Sequence, residues 1–158
     1  MKLITYRANK ISEARLGVIH NEQVVDVNKL GSTIGYQFPD SMLGLIDQGP
    51  DAISALSDAL KERGGRMPPG IAIPEANVSL LAPIPTPRKN IFGIGLNYVE
   101  HVAESAKSLD TSKDLPTKPV VFSKPPTAVI GTGDSIQHNS KMTQQLDWEV
   151  ELAVIIGK

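Results

Sequence analysis

Three prolines within five residues, Pro83-Ile84-Pro85-Thr86-Pro87, set the tightest limit on how this chain can fold. Proline holds φ at about −65° and has no N–H to donate, so the run cannot sit inside a helix or on a central strand. Upstream, Pro68-Pro69-Gly70 breaks regular structure, and Ile71 to Leu81 reads as extended. The domain boundary therefore falls between Arg66 and Arg88. We read residues 1–70 as a small β-rich domain with two helices, 71–88 as a Pro-rich linker, and 89–158 as the first part of a second domain. A chain of 158 residues has room for one ordinary domain, or for a small domain joined to part of a larger one.

In the first part, Lys2 to Ala8 alternates, with Ile4 and Tyr6 on one face and Leu3, Thr5 and Arg7 on the other. Arg15 to Ile19 and Gln23 to Val27 are two further extended runs, joined by His20-Asn21-Glu22, where asparagine suits a tight hairpin. A three-stranded meander is expected, with His20 as a solvated turn residue. Asp40 and Ser41 can cap a short helix carrying Met42, Leu43, Leu45 and Ile46, which Gly49-Pro50 ends. In a second helix Asp51 is the expected cap, Ile53, Leu56 and Leu60 repeat at helical spacing, and Gly64-Gly65 stops the run. These elements carry packing and no evident chemistry.

Composition removes several function classes. Sixteen Lys+Arg against seventeen Asp+Glu leave a formal charge of −1, which offers a nucleic acid or an acidic membrane no electrostatic handle. The absence of cysteine rules out disulfides, thiolate zinc sites and thiol nucleophiles, and fits a reducing compartment; a cytoplasmic location is expected. Met1 to Arg7 lacks the apolar core of a signal peptide, and no later run approaches a membrane span.

Beyond the linker, Ile91-Phe92-Gly93-Ile94-Gly95 reads as a buried strand whose glycines admit another backbone or a ligand. The dinucleotide fingerprint fails, because Tyr98 stands where its third glycine belongs, and this disfavours an oxidoreductase. Tyr98 to Ala106 is rich in helix formers, and His101 and Glu104, three apart, share a helix face. Lys107 to Pro119 is a polar loop without apolar periodicity, placed where a lid would be. Val120 to Ser123 is a strand, after which Pro125-Pro126 fix the backbone that aims Lys124. Ala128 to Ile130 continues extended, and Gly131 to Ser135 is turn chemistry. His138, in the polar stretch that follows, receives no role.

The run Asp147-Trp148-Glu149-Val150-Glu151-Leu152-Ala153-Val154-Ile155-Ile156 reads as a strand. Alternation puts Glu149 and Glu151 on one face, roughly 7 Å apart, with Val150, Leu152 and Val154 toward a core. Two carboxylates on a dry face repel unless a cation lies between them, whereas on a wet face they are an ordinary solvated pair.

Taken in order, Gly-x-Asn-Tyr-x-x-His-x-x-Glu (from Gly95), Pro-Val-Val-Phe-x-Lys-Pro-Pro-Thr (from Pro119) and Asp-Trp-Glu-Val-Glu-Leu-Ala-Val-Ile-Ile-Gly-Lys (from Asp147) strongly resemble the fumarylacetoacetate hydrolase family. This family includes acylpyruvate hydrolases, oxaloacetate decarboxylases and the 2-hydroxyhepta-2,4-diene-1,7-dioate isomerase branch. The likeness spans Arg88 to Lys158 well, and residues 1–85 fit the looser N-terminal region of the bacterial members. It implies an α+β, mainly β fold, in which the second domain begins a mixed β-roll, and a homodimer. It also implies that Glu149 and Glu151 ligate Mg²⁺ or Mn²⁺, that His101 and Glu104 form a catalytic dyad, and that Lys124 faces the substrate. The family places a third carboxylate ligand, a second lysine and a glycine-threonine pair later than Lys158, so the 158 residues alone are expected to fold incompletely, bind metal poorly and be inactive.

The activity so implied is hydrolysis of a carbon–carbon bond in a 2,4-dioxo acid through a metal-chelated enolate, with His101 taking a proton from the attacking water. An isomerase or decarboxylase would form the same enolate without hydrolysis. The expected partner is a small 2-oxo or 2,4-dioxo acid, with no nucleic acid or membrane. The reading of a different class is a non-catalytic fragment or interaction domain.

Overall fold

The computed structural model describes residues 1–9, 13–108 and 114–157, the side chains of 106–108 excepted. The chain divides into two compact units, one formed by Met1–Pro85 with Ile130–Lys158 and the other by Thr86–Val129. Segment 89–158 is thus shared between both.

The first unit is built on a meander. β1 (Lys2–Arg7), β2 (Arg15–His20) and β3 (Gln23–Asp26) pair antiparallel in sequence order, as alternation predicts. Two short strands, β4 (Ala72–Pro74) on β3 and β5 (Ser79–Leu80) on β1, extend it to five in the order β4-β3-β2-β1-β5. The β2–β3 hairpin turns at Asn21 and Glu22, both with positive φ (50° and 59°), the geometry that a two-residue loop demands. His20 is one residue before that tip and is half-buried, its Nε2 enclosed with no hydrogen-bond partner among the described residues, which corrects the expectation of a solvated turn residue.

Three helices complete this unit where two were expected. α1 (Val27–Ile34) starts at Asp26, whose side chain accepts from the Lys29 N–H, and ends at Gly35 in the left-handed region. α2 (Met42–Gln48) is capped by Ser41. α3 (Pro50–Arg63) opens at Gly49 with Pro50 as its first residue and makes no side-chain cap bond. Asp51 therefore lies in the first turn, where it favours the dipole but is not the cap expected. Leu16, Val18 and Val25 from one face of the sheet join Leu30, Leu45, Leu56 and Leu60 from the helices in a single buried cluster. Each fully buried leucine contributes about 1.5–3 kcal/mol.

The polar face of the meander is held differently. Asp26, 2% exposed, receives Tyr6 Oη at 3.0 Å, Arg15 Nε at 2.6 Å and Arg15 Nη2 at 3.2 Å. Tyr6 reaches it by crossing β2 at Gly17, where a Cβ would stand 2.8 Å from the ring.

In the second unit, β6 (Ile91–Gly95) pairs antiparallel with β7 (Val120–Lys124), and α4 (Val99–Ser108) lies between them in sequence. β6 is not the buried strand expected: Phe92 is 70% exposed and Ile94 45%, because this ladder has two strands and nothing among the described residues covers both its faces. Ala128 closes a 3₁₀ turn (Pro126–Ala128) and does not extend β7. The turn at Gly131–Asp134 forms as predicted, with the Gly131 N–H donating to Asp134 Oδ2 at 2.7 Å.

The largest departure lies at 147–156, where no strand forms. Val150, Leu152 and Val154, expected to face a core, are 80%, 86% and 72% exposed. An extended run becomes a strand only by hydrogen-bonding to a neighbouring strand, and among the described residues no strand takes this run into a sheet. Part of the polar loop read at Lys107 to Pro119, residues 109–113, lies outside the described residues. Among those described, no helix is long and apolar enough to cross a membrane.

Candidate active site

The β6–β7 ladder places the groups nearest the expected chemistry of the second unit. Its register sets Gly93 opposite Phe122, Ile91 opposite Lys124 and Gly95 opposite Val120. Directly opposed residues share a face, so Gly93, Gly95, Phe122 and Lys124 lie on one side of the ladder. The Phe122 ring lies flat over Gly93, closer than a side chain at 93 would allow, and passes near Gly95. The close approach expected of these glycines is thus made by an aromatic ring of the same sheet. Lys124 Nζ sits 5.7 Å from the centroid of that ring, within the range where an ammonium is attracted to a π face. Sequence reasoning missed Phe122, although its signal was present: an aromatic two residues before the lysine, opposite a glycine.

After Gly95 the backbone turns through Leu96, at φ 53°, and α4 begins at Val99. Among its described side chains Val102 and Ser105 are buried, 3% and 6% exposed. His101 and Glu104 each precede one of them and so line the margin of the buried stripe, His101 half-buried and Glu104 exposed. Helical spacing of three brings both to one face, where a carboxylate can orient an imidazole and offset its charge once protonated.

Glu149 and Glu151 belong to the first unit, two residues apart on the exposed C-terminal segment. Their chemistry fits Mg²⁺ or Mn²⁺, which take hard oxygen donors. Their number does not: among the described residues no three His, Asp or Glu side chains are grouped to hold a metal ion. A complete cation site is therefore not formed by the described residues.

Residues 90–158 match the family described as fumarylacetoacetate (FAA) hydrolase C-terminal. The oxaloacetate tautomerase YisK of Bacillus subtilis is 47% identical over 83 residues, 52% of this chain and 26% of that protein. The mitochondrial oxaloacetate tautomerase FAHD2A of Bos taurus is 31% identical over 160 residues, 100% of this chain and 45% of that protein. A fumarylacetoacetate hydrolase from psychrophilic Exiguobacterium antarcticum shares the fold with a TM-score of 0.54 at 25% identity, over 91% of this chain and 43% of its own. The chain spans less than half the length of each of these proteins.

Proposed function

We propose, for a chain that belongs through residues 90–158 to the fumarylacetoacetate hydrolase family, that the whole protein enolises a small 2-oxo acid, with oxaloacetate as the substrate that its relatives' names favour. The observation that supports this most is the alignment of all of this chain, at 31% identity, with an oxaloacetate tautomerase. Tautomerisation moves one proton between C3 and the C2 oxygen, with nothing added or lost. His101 is the group to carry that proton, since an imidazole can both accept a proton and return it. Glu104 orients the ring and offsets the imidazolium. Lys124 binds a substrate carboxylate or offsets charge on the enol oxygen.

In the whole protein Glu149 and Glu151 would be two of the oxygen donors to a Mg²⁺ or Mn²⁺ ion, which would supply Lewis acidity. Hydrolysis of a 2,4-dioxo acid is the second reading, favoured by the fold shared with a fumarylacetoacetate hydrolase; there His101 would activate water. In our reading residues 1–70 form the N-terminal domain, 71–88 are the segment that leads out of it after adding β4 and β5 to its sheet, and 89–158 are the start of the catalytic domain of a cytoplasmic homodimer.

The test is turnover of the full-length protein with Mg²⁺, on oxaloacetate tautomers and on acylpyruvates. His101→Ala should lower turnover about 100-fold or more with metal affinity preserved, and wild-type turnover would remove the dyad. Calorimetry on Glu149→Gln should show Mg²⁺ or Mn²⁺ bound about tenfold more weakly or worse. Unchanged affinity would strike that glutamate from the ligands.

A further inference from the structure

We propose that Phe122 is a positioning residue for Lys124, holding its ammonium over a fixed ring and so presenting it to a substrate carboxylate. This rests on the reading in which Lys124 binds substrate. A lysine ammonium on a four-carbon stem is a mobile point charge, and an exposed one samples many rotamers before it meets an anion. Three features of the β6–β7 ladder restrict this one. Phe122 and Lys124 are two residues apart on one strand, so they rise from the same face. Gly93 stands opposite Phe122 and offers no side chain, so the ring can lie down across β6. Lys124 Nζ, 5.7 Å from the ring centroid, then meets the negative face of the aromatic. Pro125, next in the chain, stiffens the backbone on the other side of the lysine. Phe122 need not touch substrate, and its effect passes through Lys124.

The experiment uses the full-length protein and four variants, Phe122→Leu, Phe122→Trp, Gly93→Ala and Lys124→Met, with KM and kcat for oxaloacetate measured across pH. Two-dimensional NMR of lysine-labelled protein follows the Lys124 ε-methylene. Lys124→Met should raise KM about tenfold or more, as expected when a charged partner of a bound carboxylate is lost. Phe122→Leu, which keeps an apolar side chain but no π face, should raise KM about 3- to 5-fold with kcat within twofold, and Phe122→Trp should restore it. Gly93→Ala should mimic Phe122→Leu by lifting the ring. In the wild type the ε-methylene should show an upfield ring-current shift that Phe122→Leu abolishes.

If Lys124→Met raises KM while Phe122→Leu leaves it unchanged, the positioning role is overturned and the substrate role of Lys124 stands. If Lys124→Met leaves KM unchanged, both fall together. Should Phe122→Leu fail to fold, a wild-type ε-methylene at its ordinary shift overturns the proposal by itself, and a Gly93→Ala protein with unaltered KM does the same.

Discussion

Asp26 keeps its negative charge at 2% exposure, and four donated hydrogen bonds hold it there: two from the Arg15 guanidinium, one from the Tyr6 hydroxyl and one from the Lys29 N–H. Burial alone would raise its pKa, but the hydrogen bond from Arg15, then those from Lys29 and Tyr6 and the Arg15 charge, together hold the carboxyl below the usual aspartate value. Tyr6 is pushed the other way, by burial first and then by the neighbouring carboxylate, so it stays a donor throughout the physiological range. The signs fix the pH dependence. A depressed carboxyl contributes stability that is complete above its unfolded pKa of about 3.9 and is lost as pH falls through the lower folded value. A raised phenol contributes stability that is complete below about pH 10 and is lost as pH rises beyond it. Asp26→Asn should therefore cost about 2–3 kcal/mol near neutral pH and flatten the acid limb of a urea-denaturation series. An unchanged acid limb would show that Asp26 is not what the acid titrates. The sequence could not announce this network. Asp26 is spelled as the polar end of a strand, and only the meander register brings Arg15, Tyr6 and the start of α1 to it.

Elements were legible where their signal is local. The hairpin at Asn21-Glu22, the helix begun by Ser41 and the stop at Gly64 follow from side chains acting on their own backbone. α1 was not, because Gly31, Ser32 and Thr33 are poor helix formers. It exists through the Asp26 cap and burial of Val27 and Leu30, and Gly31 is needed there because a Cβ would stand 2.7 Å from the Phe38 ring. The same device recurs in both sheets, an aromatic lying across a glycine of the adjacent strand, with Tyr6 over Gly17 and Phe122 over Gly93. Gly17→Ala would push the Tyr6 ring away from Asp26 and press on Val24 as well. We expect it to cost about 1–3 kcal/mol by overpacking, measured as a lower urea midpoint. Tyr6→Phe, which keeps the ring and drops the hydroxyl, should cost less, about 1 kcal/mol. If the two cost the same, the ring's passage over Gly17 matters only for delivering the hydroxyl.

At the scale of the whole molecule, apolar side chains fall into two populations. Those of the meander and its helices form one buried cluster, while Trp148, Val150, Leu152 and Ile156 are 77%, 80%, 86% and 87% exposed. The alternation that spells a strand at 147–156 is a statement about faces, and it becomes structure only when a neighbouring strand takes the hydrogen bonds and a layer takes the apolar face. The chain spans 45% of the length of its bovine relative, and among the described residues no strand takes the 147–156 run into a sheet, so the motif that names Glu149 and Glu151 stays a statement about sequence. Trp148 is the chain's single tryptophan, next to Glu149, and its fluorescence reports on this segment alone. In the 158-residue chain, acrylamide should quench it almost as freely as a model indole, and the exposed apolar run should promote self-association as concentration rises. In a form spanning its relatives' length, with any tryptophan other than Trp148 replaced by phenylalanine, the emission should shift to the blue and quenching should fall severalfold, because pairing of 147–156 would bury one of its faces. Equal quenching in both forms would mean that the segment stays unpaired even with the added length. Glu149 and Glu151 would then have no rigid strand from which to hold a cation, and their place among the ligands would be lost whatever the fate of His101.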